Sequence, residues 1–241
     1  MRMFRMAAAG VLLGLALGLP GTPAKAAQIY VSAMSLANGY QVVGFERDPT
    51  KTAGAWAGGT EYAGQQTLTA NYGAADNPAG HFSLLAWCVD VFHNIYLGAN
   101  SIVYTTGALA VPNAASIAAL AVWGNQQLAG GPDALLSAAV QATIWNLEYN
   151  MRLVGGSNAA LMAKVNYLSN TLLPTLPASD VTSLVAIGPD GRITAQGLIT
   201  QVPEPEMLTL FAAALVGLAV VRRRRRHPEA RSFAGRHQPK A

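Results

Sequence analysis

PNAASIAALAVWGNQQLAGGPDALLSAAVQATIWNLEYN, Pro112 to Asn150, is where the periodicity of this 241-residue chain changes. Upstream, apolar residues come in short or alternating runs. From Asn113 to Leu128 they recur at helical spacing, through Ile117, Leu120, Ala121 and Trp123. Gly130-Gly131-Pro132 ends that segment. Asp133 is placed to cap a second helix that runs to about Asn150, with a stripe of Leu136, Val140, Ile144 and Leu147. A third helix is predicted over Ser157 to Asn170, carrying Leu161, Val165 and Leu168.

On either side the chain reads as β. Residues 28–106 contain Ile29 to Val31, Tyr40 to Phe45, Thr67 to Tyr72, His81 to Phe92 and Ile102 to Thr106 as strand-like runs. Asn38-Gly39, Asp48-Pro49, Gly58-Gly59 and Asp76-Asn77-Pro78 separate them as turn signals. The rest of the Asn-, Thr- and Gly-rich stretch from Ala53 to Gly80 is expected to be loop. After Pro174 and Pro177, Val181 to Ile187 and Arg192 to Ile199 flank Pro189-Asp190-Gly191, a hairpin signal within residues 181–200. The expectation is an α+β domain over residues 27–201. In it a β-sandwich or barrel-like framework is interrupted by a helical subdomain at 113–170.

The two ends speak of export. Arg2 and Arg5 precede the apolar run Ala7 to Leu19, and Ala24-Lys25-Ala26 has the small-x-small form of a cleavage site. Residues 1–26 therefore read as a secretory signal peptide, the alternative being an uncleaved anchor. At the other end, Met207 to Val221 carries no charge, and as a helix it would be about 22 Å long at about 1.5 Å per residue. That is short for a hydrocarbon core of about 30 Å, so the span relies on snorkelling flanks. Arg222, Arg223, Arg224, Arg225 and Arg226 would stop transfer on the cytoplasmic side. A basic run beside a hydrophobic helix in an exported chain argues poorly for nucleic acid. Pro203-Glu204-Pro205, the short apolar span and the arginines, in that order over residues 202–226, resemble the PEP-CTERM sorting signal. The resemblance implies a Gram-negative source with an extracellular polysaccharide matrix and an exosortase as processing partner. It also implies a precursor held in the inner membrane before delivery to the cell surface or matrix. The polar tail 227–241 is longer than is usual for that signal.

Removing the ends reverses the charge. The whole chain is +4, but between Ala27 and Val202 five Lys/Arg stand against nine Asp/Glu, leaving −4. The core thus offers no basic surface for nucleic acid. Its size suits one domain, and a single cysteine excludes any disulfide within the chain, so apolar packing must hold it together.

Little conventional chemistry can be assembled. His227 and His237 lie in the tail, and His81 and His93 lack an i, i+4 partner, so no metal site is expected. There is no calcium-loop pattern, no phosphate-binding glycine loop and no Gly-x-Ser-x-Gly, so no cofactor is expected either. Cys88 near His93 lacks the surroundings of a cysteine hydrolase. What stands out is a pair of segments. Trp87-Cys88-Val89-Asp90 sits in a β run, and Val140-Gln141-Ala142-Thr143-Ile144-Trp145 sits in the second helix. Together they resemble the thioester-forming domain of bacterial surface adhesins, with Val140 where the family often has Thr and Thr143 where it usually has Ala. The resemblance implies a cross-link from Cys88 to Gln141. The thiolate attacks the carboxamide, ammonia leaves, and an activated acyl group is stored beneath residues such as Trp87 and Trp145. An amine- or hydroxyl-bearing surface or matrix molecule would then displace Cys88 and become covalently bound. Such a domain reacts once, so no enzyme is expected. The competing expectation is a passive matrix protein of the same sorting class, with Cys88 as a buried small hydrophobe.

Overall fold

A computed structural model describes residues 27–36, 38–47, 58–72, 80–97, 101–154 and 158–201, together with Ala214, Gly217, Leu218 and Arg222. The expected signal peptide, the polar tail and most of residues 202–226 lie outside these. The chain divides into one unit ending at Thr200 and a second from Gln201 to Ala241.

The first unit is a mixed α/β structure. Its strands are β1 (Gln28–Ser35), β2 (Gln41–Arg47), β3 (Gly58–Ala63), β4 (Gln66–Tyr72), β5 (Phe82–Cys88), β6 (Ile102–Gly107), β7 (Met151–Leu153), β8 (Thr182–Val185) and β9 (Leu198–Thr200). Its helices are α1 (Ala114–Leu128), α2 (Ala134–Tyr149) and α3 (Ala159–Tyr167). Six strands close a barrel in the order β1-β4-β5-β9-β8-β6, and β3-β2-β7 form a separate sheet. Of the two frameworks expected, the molecule has the barrel. Closure leaves its strands no unpaired edge, and Ile29, Val31, Leu68, Leu84, Tyr104, Leu184 and Leu198 are all buried.

α2 is the centre of the unit. It packs against β5 of the barrel, against all three strands of the smaller sheet, and against α1 and α3. An unbroken run from Ser137 to Trp145 is buried, as befits a helix covered on all sides. This corrects the expected one-sided stripe, because Leu136 and Leu147 are only half-buried while Ser137, Gln141 and Thr143 are inside. On α1, Ile117, Leu120 and Ala121 are buried as expected, but Trp123 is half-exposed and Gly124 takes the inner position. A methyl group on Gly124 would lie 2.9 Å from the Trp87 ring and 3.0 Å from Val140, so only glycine lets α1 approach both β5 and α2. Asp133 caps α2 as predicted, accepting from the Leu136 N–H at 2.9 Å.

Three further expectations are corrected. Gly58–Gly59, read as a separator, opens β3, which pairs with β2 from Glu46↔Gly58 to Gln41↔Ala63. Its glycines carry weak strand propensity, and pairing to β2 overrides it. β7 lies inside the block expected to be helical. Asn150 takes a left-handed conformation (φ 52°) that reverses the chain after α2, and Met151–Leu153 then pairs with β2. The third helix keeps α-geometry only to Tyr167 and continues as a π-turn (Leu168–Leu172) and a 3₁₀ turn (Leu173–Thr175). The predicted hairpin is present: β8 and β9 pair antiparallel, and Gly191 (φ 78°) sits in the turn between them.

Candidate functional site

β5 ends at Cys88, not at Phe92. Beyond it the Val89 N–H bonds to the Gly197 carbonyl at 2.9 Å, and the Asp90 side chain accepts from the Phe92 N–H at 2.9 Å, which turns the chain away. The two-residue alternation of the strand places Cys88 on the face of Leu84 and Ala86. Trp87 falls on the opposite face, against Gly124 and Val140, where its indole N–H donates to Asn125 Oδ1 at 2.9 Å. Trp87 therefore packs behind the strand and does not cover Cys88.

Cys88 and Gln141 are each 1 % exposed and meet across 53 residues of sequence. The Cys88 N–H donates to Gln141 Oε1 at 2.9 Å, and Gln141 Nε2 donates to the Cys88 carbonyl at 2.7 Å. The carboxamide thus lies flat along the backbone of the residue that carries the thiol, and its carbonyl is polarised by a backbone donor. The thiol itself donates to the Asp90 carbonyl at 3.0 Å. Burial pushes the Cys88 thiol well above its ordinary range. The Trp145 indole and the Asp90 backbone offset part of that shift, and the charges of Asp90 and Glu148 add to it. The buried Trp145 N–H makes no hydrogen bond of regular geometry, yet it lies close enough to the sulfur to favour negative charge there.

Of the residues singled out from sequence, Cys88, Gln141 and Trp145 come together. Asp90, from the same short motif as Cys88, joins them, as do three residues that sequence reasoning missed: Tyr149, Tyr104 and Glu148. Tyr149 donates to the Val89 carbonyl at 2.8 Å, and Tyr104 donates to the Gln196 carbonyl at 3.1 Å; burial raises both phenols. Asp90 bonds His93 Nδ1 at 2.6 Å. Glu148 is pushed up to about 7, chiefly by burial and further by Asp90, with Tyr149 pulling the other way. Spacing offered a signal for one of them: Gln141, Trp145 and Glu148 stand at i, i+4 and i+7, a single row along α2. Nothing comparable marked Tyr104, which comes from β6. Among the described residues no group of three or more His, Cys, Asp or Glu side chains is arranged to hold a metal ion.

Trp145 has a second neighbour. Its ring lies 5.7 Å from that of Phe45 and forms part of the wall of a cavity of about 220 Å³. Ala142, Asn146, Met151, Val165 and Asn166 complete much of that wall, on the side of α2 facing the smaller sheet.

Residues 201–226 match the PEP-CTERM protein-sorting motif. The chain is thereby marked as exported, membrane-anchored before processing, and a substrate of an exosortase. Within the motif Ala214, Gly217, Leu218 and Arg222 are helical and exposed; Pro203, Glu204, Pro205 and Arg223 to Arg226 lie outside the described residues. No helix among the described residues is long and apolar enough to cross a membrane; most of the expected span at 207–221 lies outside the described residues. Among solved structures, the chain is similar to the N-terminal thioester domain of a surface protein from Clostridium perfringens. That match has 10 % identity and a TM-score of 0.37, over 67 % of this chain and 99 % of that one. At that score the likeness supports no functional inference. A comparison with curated proteins returns no match.

Proposed function

We propose that this exported protein is a single-turnover covalent binder whose reactive group is a thioester between Cys88 Sγ and the Gln141 side-chain carbonyl. The observation that carries the reading is the pair of hydrogen bonds joining the Gln141 carboxamide to the Cys88 backbone. They hold the carboxamide against the thiol-bearing residue in a buried site. In the reaction the Sγ–C bond forms, the C–N bond breaks and ammonia leaves. The Cys88 N–H is placed to receive the developing oxyanion, and the Cys88 carbonyl to receive hydrogen bonds from the departing nitrogen. The product acylates an amine- or hydroxyl-bearing molecule of the surface or matrix, releasing the Cys88 thiol. Exosortase processing of the 202–226 segment would deliver the domain from the inner membrane to that setting.

A second reading has its own support. Gln141 saturates the backbone of Cys88 at the end of β5, which a purely structural glutamine would also do. On that reading the protein is a passive component of the surface or matrix. Intact mass separates the two. The thioester reading expects purified protein lighter than its sequence by one ammonia, addition of methylamine at Gln141, and loss of both effects in Cys88→Ala. Full mass with an unreactive thiol leaves the structural reading.

A further inference from the structure

Thioester formation moves one proton. The Cys88 thiol must lose it, and the departing nitrogen must gain it. Burial opposes free thiolate at this site, so a neighbouring group has to carry the proton between them. The candidates are the ionisable groups that interact electrostatically with Cys88. Tyr104 and Tyr149 donate their hydroxyl protons to backbone carbonyls, and their raised values make them poor bases near neutrality. Asp90 is committed to the Phe92 N–H and to His93, and that histidine is 41 % exposed. Glu148 differs. Its Oε2 is buried and makes no hydrogen bond of regular geometry, although the neighbouring Tyr149 hydroxyl favours its charged form. It follows Gln141 by two helical turns on one face of α2, and its charge acts on Cys88. Two anchors hold that stretch of helix over the strand end: the Gln141 bonds to Cys88 and the Tyr149 bond to Val89.

We propose that Glu148 is the proton-transfer residue of the Cys88–Gln141 chemistry. As a carboxylate it takes the thiol proton while Sγ attacks the carboxamide carbon. As an acid it then delivers that proton to the nitrogen that leaves as ammonia, and it ends as a carboxylate again. When an amine later opens the thioester, the same group takes a proton from the attacking nitrogen and returns it to sulfur. Poise near neutrality suits both directions. The inference rests on the thioester reading.

The test is carried out on the full chain, by intact mass and by the rate at which methylamine releases the Cys88 thiol between pH 5 and 9. Wild type is expected to show an inflection near neutrality on top of methylamine's own ionisation. In Glu148→Gln that inflection should vanish and the rate should fall about a hundredfold, with melting unchanged at pH 5, where the wild-type carboxyl is also uncharged. Glu148→Asp should recover part of the rate and keep an inflection. It also serves if the glutamine variant fails to fold, and wild-type rates in the aspartate variant would then count against the proposal. A Glu148→Gln protein that loses ammonia fully and reacts at the wild-type rate with the wild-type profile overturns the role of Glu148 and leaves the thioester standing. An inflection abolished by His93→Ala assigns the step to the histidine instead. Wild type at full mass removes the thioester itself.

Discussion

Gln65 and Gln141 are both buried carboxamides, at 0 % and 1 % exposure, and the molecule uses them differently. Gln65 bonds other side chains. Its Oε1 accepts from Asn38 Nδ2, and its Nε2 donates to Asn125 Oδ1 at 2.6 Å. Its backbone N–H reaches Ser137 Oγ at 2.7 Å, and Ser137 in turn donates to the Gly39 carbonyl at 3.1 Å. This network ties the β3–β4 turn to α1 and α2 and explains a buried amide by structure alone. Gln141 bonds only the backbone of Cys88 and is the one placed beside a thiol. Burial of an amide is therefore no signature of chemistry; the thiol-bearing partner is.

The largest expected difference between the two glutamines is chemical. Gln141→Ala should abolish ammonia loss and methylamine addition completely, whereas Gln65→Ala should keep both in the protein that folds. Gln65→Ala should instead lower unfolding free energy by about 3 kcal/mol, since Asn38 and Asn125 lose a buried partner. Denaturant unfolding alongside intact mass reads both. Retention of ammonia loss in Gln141→Ala would break the comparison outright. Next in size is Gly124→Ala, which forces a methyl group against Trp87 and Val140 and should destabilise by about 2 kcal/mol. Because Trp87 lies on the opposite face of β5 from Cys88, ammonia loss should survive in the folded fraction.

Glu148 gives a smaller and pH-dependent effect. Its folded value is raised to about 7 from 4.5, so the folded state holds more protons than the unfolded state between those values. Stability should therefore fall as pH rises through that window, and the loss should be complete above about pH 7. After allowance for solvent screening of a partly exposed carboxyl, the loss is about 1–2 kcal/mol. Glu148→Gln should flatten that slope in urea titrations at pH 5 and pH 8. An unchanged slope would show that another group carries it.

How much of this could be read from sequence follows from the range of the forces involved. α1 and α2 were legible because an Ala-rich helix with Gly-Gly-Pro and a capping Asp announces itself within a few residues. The pairing of Cys88 with Gln141 was reached through resemblance, and the structure brings the two together. The three-stranded sheet was hidden: β3 is built from glycine-rich sequence and β7 is three residues long, so both exist through their pairing with β2. The buried surround of α2 was hidden for a similar reason. An all-round buried helix shows no clean stripe, and Ser137, Gln141 and Thr143, spread around α2, look like solvent-facing positions until a sheet and a barrel close on it. Trp87 was misread because a neighbour in a strand points to the other side. Tyr104 reaches the site by tertiary packing, which no spacing encodes.

The smallest expected effect concerns where α2 begins. Asp133 accepts from the Leu136 N–H, and Asp133→Ala should destabilise the fold by about 1 kcal/mol through loss of that cap. Asn158 caps α3 in the same way, accepting from Leu161 N–H at 2.7 Å, and its alanine variant should show a similar loss. The two caps differ in what their helices hold. α2 presents Gln141 two turns further on, but its position there is fixed by the bonds to Cys88 and by a wholly buried stretch, not by the exposed first turn. Ammonia loss should therefore be the same in both cap variants. If Asp133→Ala keeps its fold yet loses ammonia more slowly than Asn158→Ala, the start of α2 sets the register of Gln141 against Cys88, and the carboxamide is held less firmly by its own hydrogen bonds than their geometry implies.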